Sequence, residues 1–95
     1  MAPLYLFPDN GADWSQLRAS VSMVLSLNVS GISFCGADVG GFIGDPTPEL
    51  FLRWVQLGAF LPFFRIHSEK KTKPRELFKQ DAELIPLFRE AVHIR

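Results

Sequence analysis

Two aspartates and a histidine recur at an even interval: Asp9, Asp38 and His67 stand at equal separations along the chain. Carboxylates and an imidazole are the groups that most often accept or donate protons near neutral pH, a pattern not specific to any one reaction. Arg65 stands two positions before His67, so in an extended chain both point to one side. It could pair with Asp38 or clamp a ligand. Each residue also has a plainer reading. Asp9-Asn10-Gly11 is strong turn chemistry. Asp38 precedes Val39-Gly40-Gly41 and could simply fix a glycine-rich loop, and His67-Ser68 reads equally as an ordinary loop.

Those positions matter only if elements bring them together. Leu4–Phe7, Gly31–Cys35 and Leu61–Arg65 are short apolar runs bounded by Pro, Gly and Asp. Such runs suit strands buried on both faces of a parallel sheet. Asp13, with Gln16 three positions on, opens a helix carrying Trp14, Leu17, Val21, Val24 and Leu25 through to Asn28. Thr47-Pro48-Glu49 opens a second, with Leu50, Trp54 and Leu57 on one stripe and Gly58 at its end. A third runs from about Arg75 to Ile94 with Leu77, Asp81, Leu84, Leu87, Phe88 and Ala91 on one face, kinked or split at Pro86. The order β-α-β-α-β-α predicts an α/β fold with parallel strands. A (β/α)8 (TIM) barrel has about 250 residues, roughly 31 per unit, so this chain matches a partial barrel of about three β/α units. A three-stranded doubly wound sheet is the alternative. In either fold Asp9, Asp38 and His67 fall at the carboxyl ends of strands, where active sites are built.

Composition narrows the chemistry. The chain has 95 residues, 47% of them hydrophobic, with 10 basic against 10 acidic side chains and a net charge of zero. A general nucleic-acid surface would need a basic excess. Lys70, Lys71, Lys73 and Arg75 form a basic run, but Glu69 and Glu76 border it and no aromatics interleave it, so a solvated loop is expected. The single cysteine, Cys35, excludes an internal disulfide framework and reads as a small buried residue. No apolar run reaches the roughly 18 residues of a membrane span, and the start of the chain has no basic n-region. No metal-ligand spacing is present, the glycines form no phosphate fingerprint, and no metal or cofactor is expected. The Asn28-Val29-Ser30 sequon leads straight into an apolar run and reads as unmodified, and His93 on the last helix is given no role.

The same residues carry a resemblance. Asp9-Asn10, Trp14, Gly-Ile-Ser-Phe-Cys-Gly-Ala-Asp-Val-Gly-Gly-Phe over 31–42, Arg53-Trp54, Gly58-Ala59-Phe60 and Pro-Phe-Phe-Arg-Ile-His over 62–67 resemble glycoside hydrolase family 31, and within it the neutral α-glucosidases. Residues 1–8 diverge, 9–68 match in order, and 69–95 form a looser loop and C-terminal helix. The resemblance implies a (β/α)8 catalytic barrel and a retaining α-glycosidase acting through two aspartates. It makes Asp9 the acid/base residue and places Asp38, Phe42, Arg65 and His67 around the sugar: Asp38 paired with Arg65, His67 donating to a hydroxyl, Phe42 in the pocket wall. It implies an oligosaccharide or glucan substrate. It covers enzymes of the endoplasmic reticulum and of the cytoplasm, so it sets no compartment.

The departures are equally specific. Leu6-Phe7-Pro8 replaces the Trp-Thr-Gly that resemblance places before the acid/base aspartate, and Arg75-Glu76 lacks the following Pro-Trp. The abrupt change at Asp9 is expected to mark an alternative start, a splice junction or a gene-model boundary. The nucleophile's Trp-x-Asp-Met-Asn-Glu motif does not occur in the chain. The expectation is therefore a fragment of a retaining α-glucosidase that is not catalytic alone. The other expectation is a non-catalytic short product that binds carbohydrate or a protein partner, self-associating through open sheet edges.

Overall fold

The computed structural model describes the backbone of residues 5–7 and the whole of residues 10–95. Among them, β1 (Tyr5–Phe7) pairs in parallel with β2 (Cys35–Ala37), Tyr5 opposite Cys35 and Phe7 opposite Ala37. Between them runs α1 (Trp14–Val29), and after β2 come α2 (Pro48–Gly58), a 3-10 turn at Leu77–Lys79 and α3 (Ile85–Ile94). The parallel β-α-β order is as expected.

The helix starts follow from their caps. Asp13 accepts from the Gln16 amide at 2.8 Å and from the Ser15 hydroxyl at 2.6 Å. Those two bonds, the hydroxyl first, hold its carboxyl below the usual carboxylate range. Thr47 Oγ1 accepts from the Leu50 amide. Pro48 occupies the first turn of α2, where its fixed φ suits the helix.

The second and third expected strands differ from the apolar runs, for two local reasons. The expected strand over Gly31–Cys35 is mostly the exit of α1. Gly31 takes a φ of 99°. The Ile32 amide reaches back to the Leu27 carbonyl at 2.8 Å, the bond that closes a left-handed helix end. The Asn28 side chain then donates to the Ile32 carbonyl and to Cys35 Sγ. Ile32 and Phe34 are spent in this turn and β2 starts at Cys35. The third expected strand, Leu61–Arg65, is reduced to a single parallel bridge between Asp38 and Arg65. Pro62 has no amide to offer. The Leu61 and Pro62 carbonyls accept from the Arg95 guanidinium instead of from a neighbouring strand.

The core is built on α2. Leu50, Phe51, Leu52, Trp54 and Val55 are buried against Cys35, Ala37 and Val39 on one side and Phe88 and Ala91 of α3 on the other. The Phe51 and Phe88 rings lie 5.4 Å apart. The single helix expected over residues 75–94 is split. Pro86 sits in the first turn of α3, where its missing amide costs nothing. In α1 only Ser20 and Val24 are buried, while Leu17 packs half-buried on the core. Trp14, Val21 and Leu25 of the expected apolar stripe stand exposed.

Gly58 is the last residue of α2, and Ala59 after it stays right-handed. It is therefore not a left-handed terminator: a Cβ there would lie 2.4 Å from the Phe64 ring and 2.9 Å from Val39. Gly58→Ala would gain about 1 kcal/mol in helix propensity but overpack the α2 seam by about 1–3 kcal/mol. The expected result is a net loss, read as a lower urea midpoint at unchanged slope. A higher midpoint would make Gly58 a simple helix end.

Candidate active site

The site forms where the chain leaves β2 and passes the bridge at Arg65. Two backbone bonds set this register: the Phe63 amide donates to the Cys35 carbonyl at 3.1 Å and the Val39 amide to the Arg65 carbonyl at 3.0 Å. Gly36 lies between them, and a Cβ on it would come within 2.2 Å of the Phe63 carbonyl oxygen. Only glycine allows this approach.

This register places Asp38 beside Arg65. Arg65 Nη2 donates to Asp38 Oδ1 at 3.0 Å. The Asp38 side chain is 5% exposed and that of Arg65 is 40% exposed. The carboxylate therefore depends on the pair more than the guanidinium does. The guanidinium also lies over the Phe63 ring at 5.7 Å, within the range of a cation–π contact.

Asn10 ties this pair to the next loop. It is buried, its Nδ2 donates to the Asp38 carbonyl at 3.2 Å, and its own carbonyl accepts from the Phe42 and Ile43 amides. Gly41, with a φ of 84°, passes so close to Ala12 that a Cβ would sit 2.5 Å from that backbone. Both features call for glycine. Phe42 then leans on His67, ring centroids 5.4 Å apart and planes at 34°. The Glu69 amide donates to the Phe42 carbonyl at 3.0 Å. Arg65, Asp38, Asn10, Phe42 and His67 thus form one unbroken path of contacts. His67 is exposed on a cleft of about 530 Å³ that it lines with Ser68, Thr72 and Arg75. Asp9 lies outside the described residues; Asn10, its neighbour in the chain, is the nearest described point.

Two residues play parts that their sequence context does not announce. Asn10 reads as turn chemistry, and only its place between a strand and a helix hints at a tether. Arg75 departs from the expectation of a solvated basic run. Lys70, Lys71 and Lys73 are exposed, but Arg75 is buried and donates through Nη1 to the Gly41 carbonyl and through Nη2 to the Gly44 carbonyl at 2.6 Å. Burial pushes its guanidinium below the ordinary value, opposed by the charges of Asp45 and Asp38. Cys35 is fully buried as a small core residue, as its setting suggests. Among the described residues no helix is long and apolar enough to cross a membrane.

Comparison with known proteins fits this geometry. Residues 6–95 match the profile of the "Glycosyl hydrolases family 31 TIM-barrel domain". The chain belongs to glycoside hydrolase family 31. It is 56% identical over 87 residues to neutral alpha-glucosidase C of Mus musculus, covering 92% of this chain and 10% of that protein. Against neutral alpha-glucosidase AB of Homo sapiens it is 48% identical over 84 residues, 88% of this chain and 9% of the other. It superposes on a crystal structure of the glucosidase II alpha subunit, described as alpha3-Glc2-bound, with a TM-score of 0.91 at 42% identity, covering 94% of this chain and 10% of that one. The family 31 chain thus spans about a tenth of the length of these relatives. Its two short parallel strands and the bridge at Arg65 are part of a TIM barrel, which sets aside the doubly wound alternative.

The exposure difference within the ion pair makes its two halves unequal. Arg65→Met leaves the buried Asp38 carboxylate without its partner and is expected to cost about 3 kcal/mol. Asp38→Asn leaves a half-exposed guanidinium that water and the amide oxygen still serve, and should cost about 1 kcal/mol. Urea unfolding of both variants checks the order; equal losses, or a larger loss for Asp38→Asn, would contradict it.

Proposed function

We propose that this chain is a sector of the catalytic barrel of a retaining α-glucosidase, about three β/α units long, that supplies the acid/base aspartate and part of the sugar pocket. The observation that carries the reading is the contact path from Arg65 through Asp38, Asn10 and Phe42 to His67. It runs through the blocks over residues 9–68 that resemble the family. Relatives described as bound to alpha3-Glc2 and to Glc1Man2 support glucose linked α at a non-reducing end as the substrate class, in oligosaccharides, glucans or N-glycans.

In this reading Asp9 protonates the leaving oxygen and later takes a proton from water. The nucleophile lies outside the segment. Retention places the two carboxyl groups only about 5–5.5 Å apart across the anomeric carbon, so the nucleophile attacks from the face opposite the leaving oxygen that Asp9 protonates. Asp38, held by Arg65, accepts from a sugar hydroxyl, His67 donates to one, and Phe42 walls the ring and excludes water. Alone, the segment lacks the group that forms the glycosyl-enzyme and turns nothing over. Trp14, Val21 and Leu25 stand exposed on α1, which fits a helix that neighbouring barrel units cover. That same apolar face also favours a second reading, association of the short chain with a protein partner.

The test uses the complete barrel that carries this segment, with an aryl α-D-glucoside. Asp9→Asn should lower kcat/KM about 10²–10⁴-fold, and much less with α-glucosyl fluoride, whose leaving group needs no proton. Equal losses on both substrates would remove Asp9 from the acid role. Turnover by the isolated chain, abolished by Asp9→Asn, would overturn the reading.

A further inference from the structure

The loop over residues 40–44 is held by partners elsewhere in the chain, its carbonyls at 42 and 43 by the Glu69 and Ala12 amides. Gly40, Gly41 and Gly44 all take positive φ, at 94°, 84° and 86°. Glycine reaches such conformations freely in the unfolded chain as well. Three glycines so close together make ordering this loop entropically costly. Its amides are tied to Asn10 and Asp38: Phe42 and Ile43 donate to the Asn10 carbonyl and Gly41 to the Asp38 carbonyl. Its carbonyls at 41 and 44 are tied by one side chain, Arg75, arriving 34 and 31 residues later in the sequence. The guanidinium packs directly under the loop. A Cβ on Gly40 would meet Arg75 Nη1 at 2.9 Å and the Phe51 ring at 3.1 Å.

Phe42 sits between those two tied carbonyls, against His67. A planar fork that grips two carbonyls at once fixes both the height and the tilt of the backbone between them, whereas the three rotatable donors of an ammonium impose no such fixed plane. We infer that Arg75 is a positioning residue for the sugar pocket: it sets the Phe42 wall against His67 through the Gly41 and Gly44 carbonyls. The inference rests on the proposed sugar pocket and adds to it a residue that helps set its shape. Arg75 is buried in a surface loop rich in lysines. This agrees with the inference, because a guanidinium taken out of water needs specific acceptors to remain there.

The experiment is binding of a glucose-configured iminosugar to the complete barrel carrying this segment, by titration calorimetry, with melting curves alongside. Arg75→Lys should weaken binding on the order of 10-fold or more, as displacement of a positioned group does. Phe42→Ala should weaken it similarly, and the double variant should be no worse than Phe42→Ala alone, because Arg75 acts through Phe42. A merely structural arginine would lower the melting temperature and leave binding unchanged, or its effect would add to that of Phe42→Ala; either result overturns the inference. Failure of the unsubstituted protein to bind the iminosugar would overturn the pocket reading and this inference with it. Binding by that protein, with Arg75→Lys binding equally well, overturns the inference alone. If Arg75→Lys does not fold, hydrogen exchange on the unsubstituted protein decides. The iminosugar should slow exchange at amides 41–43 and at 75–77 together, and protection of 41–43 without 75–77 contradicts the proposal.

Discussion

Everything the chain does at its candidate site depends on residues 38 and 65 being joined twice. The Val39 amide bonds the Arg65 carbonyl, and the Arg65 guanidinium bonds the Asp38 carboxylate. The backbone bond fixes the register, and the register delivers the charge pair. A slip of one residue along the Arg65 segment would turn Arg65 to the opposite face and take its guanidinium away from the buried Asp38 carboxylate. The ion pair thus penalises the wrong register more than it stabilises the right one, a role in which buried charge is well used.

Around that tie the fold relies on side chains gripping backbone carbonyls. Arg75 takes Gly41 and Gly44, Arg95 takes Leu61 and Pro62, and Asn10 takes Asp38. The segments held are those that carry Phe42, Arg65 and Asp38. These are irregular stretches at the ends of very short strands, where strand pairing among the described residues supplies few partners, yet buried backbone groups must find some. Long side chains from distant loops supply them. The exposed apolar face of α1 is the kind of stripe that a barrel helix buries against its neighbours, and this chain spans about a tenth of the length of its family 31 relatives.

Much of this is legible in the sequence where the signal is local. Asp13 and Thr47 cap the helices that their positions predict, because a short polar side chain before an apolar run has few other uses. Asp38 meets Arg65, the pairing that both the spacing and the resemblance suggest. Where the local signal misleads, a distant partner intervenes. Gly31–Phe34 has the composition of a strand but closes α1 through Asn28, and Leu61–Pro62 gives its carbonyls to Arg95 from the far end of the chain. Gly58 has the position of a terminator and is instead a contact with Phe64. Arg75 is indistinguishable from its lysine neighbours in sequence, since nothing in a run of basic residues says which one turns inward. For Asp9, which lies outside the described residues, the assignment rests on resemblance.

The central claim is that these residues complete a site belonging to a larger barrel. The most direct measurement is the size of the native polypeptide, detected with an antibody raised against residues 44 to 60. The account predicts a band far above the 10.7 kDa of this chain. It should be at least that of a whole (β/α)8 domain, about 250 residues long. A native band at 10.7 kDa, with none larger, would contradict it and leave the chain's role to be sought in binding rather than in hydrolysis.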